Sequence, residues 1–91
     1  MAPYKEIEVL TEPGGASWAY RIQDGLSDET PFFEVTGAGR THRFQYVFRS
    51  LDQATNCAHY LAHPITGGYD HVLVIGLAEW QGRISDFEDY L

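Results

Sequence analysis

The sequence predicts an α+β fold in which one helix packs on one face of a mostly antiparallel sheet of about five or six strands. Several short segments alternate apolar and polar residues with the two-residue period of half-buried strands. A single segment, about residues 51–63, has its apolar residues at helical spacing instead. The chain has 91 residues and no internal repeat, linker or low-complexity tract, so residues 1–91 are expected to form one domain in the order β-β-β-β-α-β, with a sixth strand optional.

The first two strands are predicted to pair as an antiparallel hairpin. Residues 4–11 and 17–23 each alternate, and the sequence Glu-Pro-Gly-Gly between them, residues 12–15, favours a turn. The positions expected to face the core are Ile7, Val9, Trp18, Tyr20 and Ile22.

The next two strands are predicted at residues 32–36 and 41–49, joined by a glycine-rich turn. The second of them shows the clearest alternation in the chain. Its alternate positions hold His42, Phe44, Tyr46 and Phe48, and this aromatic row is expected to form the sheet surface on which the helix packs.

The helix is delimited by its flanking residues. Ser50 is a good N-cap, Gln53 lies three positions later as in a capping box, and Pro64 ends the helix. The apolar stripe comprises Leu51, Ala54, Ala58, Leu61 and Ala62. The residues expected to face outward are Asp52, Gln53, Asn56, His59, Tyr60 and His63.

The segment after the helix, residues 69–77, is nearly continuous in apolar, strand-forming residues. This is typical of a strand that is central in its sheet or covered on both faces. Residues 83–86 are the candidate for the optional last strand, and residues 86–91 form an acidic, aromatic tail.

The formal net charge of −7 is large for this length and is unevenly distributed. Residues 1–34 carry seven acidic and two basic side chains, residues 35–63 carry three arginines and one aspartate, and residues 64–91 carry five acidic side chains and one arginine. Such a charge disfavours direct binding to nucleic acid or to membranes and favours a basic partner. One cysteine excludes an internal disulfide, and no apolar run approaches the roughly 20 residues of a membrane span, so we expect a cytoplasmic protein.

No segment carries a recognisable catalytic or cofactor-binding motif, so we expect neither enzymatic activity nor a cofactor or metal. His59 and His63 have the i, i+4 spacing at which two imidazoles can share a metal, but Cys57 lies on a different side of the helix and supplies no third ligand. Cys57 is also far from the helix N-terminus that would lower its pKa, so it is interpreted as a small apolar residue and not as a nucleophile.

We therefore expect a non-enzymatic acidic interaction module that binds a basic protein or a nucleic-acid-handling complex. Small size, negative charge and the lack of an active site are shared by many anti-CRISPR and antirestriction proteins, which block nucleic-acid-binding sites. By this analogy alone, an inhibitor of phage or bacterial type is the most concrete form of the hypothesis. The residues expected to contact the partner are Glu6, Glu8, Asp28, Glu29, Tyr60, Asp86, Glu88 and Asp89.

Two other functions fit the sequence. A small-molecule or catalytic pocket between helix and sheet would use His42, Tyr46 and His71, because imidazoles on an otherwise inward-facing row are unusual. A structural homodimer would instead pair the strand at residues 69–77, or an edge strand, across a two-fold axis.

Overall fold

The structure, a computed structural model, describes residues 3–9, 18–39 and 41–90. Its elements are β1 (Tyr4–Glu8), β2 (Ala19–Gln23), β3 (Phe32–Ala38), β4 (Arg43–Phe48), α1 (Leu51–Ala62), β5 (His71–Leu77) and a terminal 3₁₀ helix (Phe87–Tyr90). This order confirms the α+β prediction. In the described ranges, no helix combines the length and the apolar character that a bilayer crossing requires.

The five strands form one mixed sheet in the order β1-β2-β5-β3-β4. The predicted hairpin is confirmed, since β1 and β2 are antiparallel with Ile7 opposite Tyr20. The pair β2–β5 is parallel, whereas β3 is antiparallel to both β5 and β4. The predicted turn at residues 12–15, the ends of the predicted strands that flank it, and Arg40 in the β3–β4 turn lie outside the described residues.

Strand β5 occupies the centre of the sheet, as its apolar sequence predicts. Val72 and Val74 are buried, while Leu73, Ile75 and Leu77 on the opposite face are half-buried. We call this opposite face, away from α1, the open face. Because β5 is paired on both sides, with β2 and with β3, it does not offer a free edge to a second copy of the chain. A homodimer formed by strand pairing would therefore use one of the edge strands, β1 or β4.

Helix α1 packs on the sheet through small side chains, which let its backbone approach β5 and β3 closely. The helix begins after Ser50, whose hydroxyl oxygen accepts a hydrogen bond from the backbone N–H of Gln53 (3.4 Å), and it ends at Ala62. The residues of its inner stripe with no exposed surface are Ala54, Cys57, Ala58 and Ala62.

The aromatic row of β4 faces the helix, as predicted, for three of its four members. Phe48 is buried, and Phe44 and Tyr46 pack half-buried against the core, whereas His42 precedes the strand and is exposed. Tyr90 of the terminal 3₁₀ helix is buried in the same layer, with its ring centroid 5.9 Å from that of Tyr46. The acidic tail is therefore packed on the domain through Tyr90.

Residues 83–86 do not form the optional last strand. Ser85 instead makes two hydrogen bonds with Val47: its backbone N–H donates to the Val47 carbonyl oxygen (2.8 Å), and its hydroxyl oxygen accepts from the Val47 N–H (3.2 Å). Because the hydroxyl takes the place of a backbone carbonyl, the ladder stops after one residue. This contact covers part of the outer edge of β4.

Two glycines allow close packing beside the sheet. A Cβ on Gly37 would overlap both the ring of Phe44 and the backbone carbonyl oxygen of His71, the first residue of β5. A Cβ on Gly76 would meet the Cδ2 atom of Leu26 at 2.6 Å and the Cγ2 atom of Thr30 at 3.0 Å. The loop after β2 is therefore folded back onto the central strand.

Candidate functional site

The eight residues predicted to contact a partner lie in three separate places. They are Glu6 and Glu8 on β1, Asp28 and Glu29 in the loop after β2, and Tyr60, Asp86, Glu88 and Asp89 beside β4. Strands β1 and β4 are the two edges of the sheet, so the first and third groups are separated by roughly 19 Å, the width of four strand spacings. The second group lies between them, at one end of the sheet.

The topology adds further carboxylates to that end. Because β2 and β5 are parallel neighbours, the loops that follow them emerge at the same end, where β3 begins opposite the last residue of β5. Strand β4 also ends there, and α1 starts three residues later. We call this end the acidic end; its acidic residues are Asp24, Asp28, Glu29, Asp52 and Glu79.

All five side chains of the acidic end are exposed. Among the described residues, none of them forms an ion pair or a side-chain hydrogen bond. Arg49 is at the same end, but its guanidinium lies over the ring of Phe32, 5.7 Å from the ring centroid. The acidic end therefore presents five carboxylates to solvent with little internal compensation.

Asp24 lies only four positions before Asp28 in the same loop, so the sequence itself places these two acids together. Asp52 and Glu79, which are not among the predicted contact residues, belong to distant segments and share this end of the sheet because β5 pairs with both β2 and β3. No local pattern in the sequence indicates those pairings, so no sequence signal could have added Asp52 and Glu79 to the site.

One of the acidic residues beside β4, Asp89, forms hydrogen bonds within the fold. Asp89 accepts a hydrogen bond from the backbone N–H of Asp86 (2.7 Å) and another from Nη2 of Arg83 (2.8 Å). These two bonds lower the pKa of the Asp89 carboxyl below its ordinary value, the backbone bond contributing most. Asp89 thus holds the tail in place, whereas Asp86 and Glu88 remain exposed.

Tyr60 also has a structural role. It is half-buried on the outer side of α1, and its ring lies edge-on to that of Tyr90, with 5.4 Å between centroids. On β1, Glu6 pairs loosely with Arg21, at 3.9 Å between Oε2 and Nε, and both side chains are about two-thirds exposed. Glu8 is exposed on the same strand.

The structure does not bring together the three residues of the alternative pocket. His71 and Arg43 are both paired with Ala38, so His71 lies on the open face, opposite to the face of Tyr46. A cleft of about 270 Å³ adjoins Tyr46 but includes neither His71 nor His42. Placing His71 on the helix side was wrong, because a nearly continuous apolar run does not show which of its residues face the core.

The remaining candidates for chemistry are held by ordinary contacts. His59 and His63 have ring centroids 6.0 Å apart, and Nδ1 of His63 accepts the backbone N–H of Ile65 (3.1 Å). In the described part of the chain, no three His, Cys, Asp or Glu side chains are grouped to hold a metal ion. Burial raises the pKa of the Cys57 thiol to about 12, which leaves it protonated and unreactive near neutral pH.

Comparisons with protein-family models, with curated proteins and with solved structures found no match for this chain. Its function is therefore inferred from its own charges, surfaces and cavities.

Proposed function

We propose that this protein is a non-enzymatic interaction module whose acidic end docks on a basic surface of a partner protein or complex. The observation that supports this most directly is the convergence of five exposed carboxylates from separate chain segments, without ion pairs among the described residues. A basic partner supplies the countercharge that the domain itself does not. Electrostatic attraction of this kind accelerates association and selects between partners.

The loop that carries three of the five carboxylates of the acidic end, residues 24–30, is fixed by its own turn and by contact with the sheet. It turns at Gly25, where φ is +84°, and anchors Leu26 against β5. Within the loop, the N–H of Thr30 donates to the carbonyl of Ser27 (3.1 Å), and the N–H of Glu29 donates to the Ser27 hydroxyl (3.2 Å). Because these contacts already order the backbone of the loop in the free protein, docking does not require the loop to be ordered anew.

The more specific form of the proposal is an inhibitor that covers a nucleic-acid-binding groove of its partner. Such a groove is lined with lysine and arginine side chains that bind phosphates, and exposed carboxylates can occupy the same positions. The net charge of −7 repels nucleic acid, so the protein competes for the groove and does not bind the nucleic acid itself. This form is supported by analogy of size and charge with anti-CRISPR and antirestriction proteins.

The test compares two triple variants of equal charge. Asp28→Asn/Glu29→Gln/Glu79→Gln neutralises the acidic end, and Asp70→Asn/Asp86→Asn/Glu88→Gln neutralises three exposed acids elsewhere. Binding of a hexa-arginine peptide, a stand-in for a basic surface, is followed by ¹⁵N NMR at about 50 mM and about 500 mM salt.

We expect wild-type amide shifts to concentrate at residues 24–30, 52–53 and 78–80 and to weaken at high salt. Three exposed charge pairs together are worth about 1.5 kcal/mol, so the acidic-end variant should bind roughly tenfold more weakly, and the control variant should bind nearly as wild type. Equal losses in the two variants, or shifts centred on residues 86–89, would rule out the acidic end as the docking surface.

A further inference from the structure

A second surface, on the open face, is concave and differs in charge from the acidic end. It is a groove of about 610 Å³, a size within the range of small-molecule sites. Its lining includes Ala19, Ala38 and Leu73, and two of these three side chains are single methyl groups. Most of its lining lies toward the end of the sheet opposite the acidic end, where β5 begins and β3 ends.

The side chains of Arg43 and His71 lie on either side of Ala38 in this groove. Ala38 on β3 is paired with His71 on one side and with Arg43 on the other, so all three side chains project from the same face in one line across the sheet. The Cα atoms of His71 and Arg43 are thus roughly 10 Å apart, two strand spacings. The methyl group of Ala38 leaves the space between the two longer side chains open.

The side chain of Arg43 has no partner within the described part of the chain. It is exposed, and its guanidinium makes no hydrogen bond, ion pair or ring contact with another described residue. The other described arginines all have one, namely Glu6 for Arg21, Phe32 for Arg49 and Asp89 for Arg83. A guanidinium facing a concave surface without a partner is suited to an external oxyanion, which it can bind through two parallel N–H groups.

We propose that this groove binds a small organic anion, a carboxylate or a phosphate monoester attached to a short apolar body. The oxyanion lies between Arg43 and His71 above Ala38, and the apolar body extends over Ala19 and Leu73. Two carboxylates also line the groove: Glu6 is paired with Arg21, and Asp70 lies beside His71. These carboxylates repel an extended polyanion, so the site selects a ligand with one anionic group.

The experiment is a ¹⁵N NMR titration with phenyl phosphate and benzoate, with benzyl alcohol as the neutral analogue. Arg43→Gln removes the guanidinium proposed to hold the anion. The control is Arg49→Gln, which removes an equal charge just after β4, outside the lining of the groove. For the wild type we expect saturable shifts at residues 36–38 and 71–73. Loss of a charge-assisted hydrogen bond should weaken binding of both anions roughly tenfold or more in Arg43→Gln, with a change within about twofold in Arg49→Gln.

Three results would overturn the inference: shifts that do not saturate, equal weakening in the two arginine variants, or benzyl alcohol binding as tightly as phenyl phosphate. Both variants replace exposed side chains, and their unliganded spectra report whether the fold is retained. The acidic-end variant should bind the anions as the wild type does, so this inference and the proposed function can fail separately.

Discussion

Alkaline pH should destabilise this protein through Cys57, a residue with no exposed surface in the centre of α1. Burial raises the pKa of its thiol from 9.0 to about 12 in the folded protein. A raised folded pKa means that the stabilisation is complete below about pH 9 and is lost as the pH rises toward 12. The reason is that the unfolded chain releases the proton at a pH where the folded protein still retains it.

The size of the effect follows from these two pKa values. Between about pH 8 and pH 10, the contribution of Cys57 to the free energy of unfolding should fall by about 1.3 kcal/mol. Burial also raises the pKa values of Tyr20, Tyr46 and Tyr90, which weakens the fold in the same pH range. The Cys57→Ala variant keeps the burial of these tyrosines and lacks the thiol, so the difference between the two proteins reports the thiol together with its electrostatic effect on Tyr46 and Tyr90.

The assay is urea unfolding at both pH values, followed by circular dichroism in the presence of a reductant. At pH 8 the wild type should be the more stable protein, because Cys57→Ala leaves a small cavity. At pH 10 that advantage should be smaller by about 1.3 kcal/mol. If the advantage is the same at both pH values, the thiol is not kept neutral by burial, and the packing of α1 described above is incorrect at this position.

Three further predictions concern packing and the tail. Gly37→Ala should lower the free energy of unfolding by about 2 kcal/mol or more, because the new methyl group meets a backbone carbonyl oxygen of β5. Gly76→Ala should lower it less, because its methyl group meets the movable ends of side chains. Urea unfolding ranks the two variants, and the reverse order would contradict the packing described for these glycines. Tyr90→Ala should cost about 3 kcal/mol in the same assay, whereas Tyr90→Phe retains the buried ring and should lose much less. The pKa of the Asp89 carboxyl, measured by ¹³C NMR, should lie below 3.8, and the stabilisation that this carboxylate provides should be lost as the pH falls through that pKa. Arg83→Gln should raise the pKa of Asp89; an unchanged pKa in this variant would show that the two side chains do not meet in solution.

The parts of the fold that could be predicted are those encoded by neighbouring residues. The β1–β2 hairpin follows from two alternating segments around a turn sequence, and the limits of α1 follow from Ser50 and Pro64. The central position of β5 follows from its composition. Each of these features needs only a local pattern and the rule that apolar surface is buried.

The parts that could not be predicted depend on contacts between distant segments. The parallel pairing of β2 with β5 joins residues about 50 positions apart, and together with the β5–β3 pairing it assembles the acidic end. The open-face position of His71 depends on which of two alternating sets faces the helix, and neighbouring apolar residues of similar size do not reveal this. The use of Asp89 for the tail depends on the short turn that brings Arg83 beside it.

The insertion of the last strand between β2 and β3 has a consequence for biosynthesis. In the described sheet, the amino-terminal hairpin is joined to β3 and β4 only through β5. During translation the hairpin and the β3–β4 pair can each form, but they remain two separate, half-finished sheets until residues 71–77 have left the ribosome. A nascent chain that stalls before that point exposes the apolar edges of both halves, so neither half is protected from aggregation until β5 has been translated.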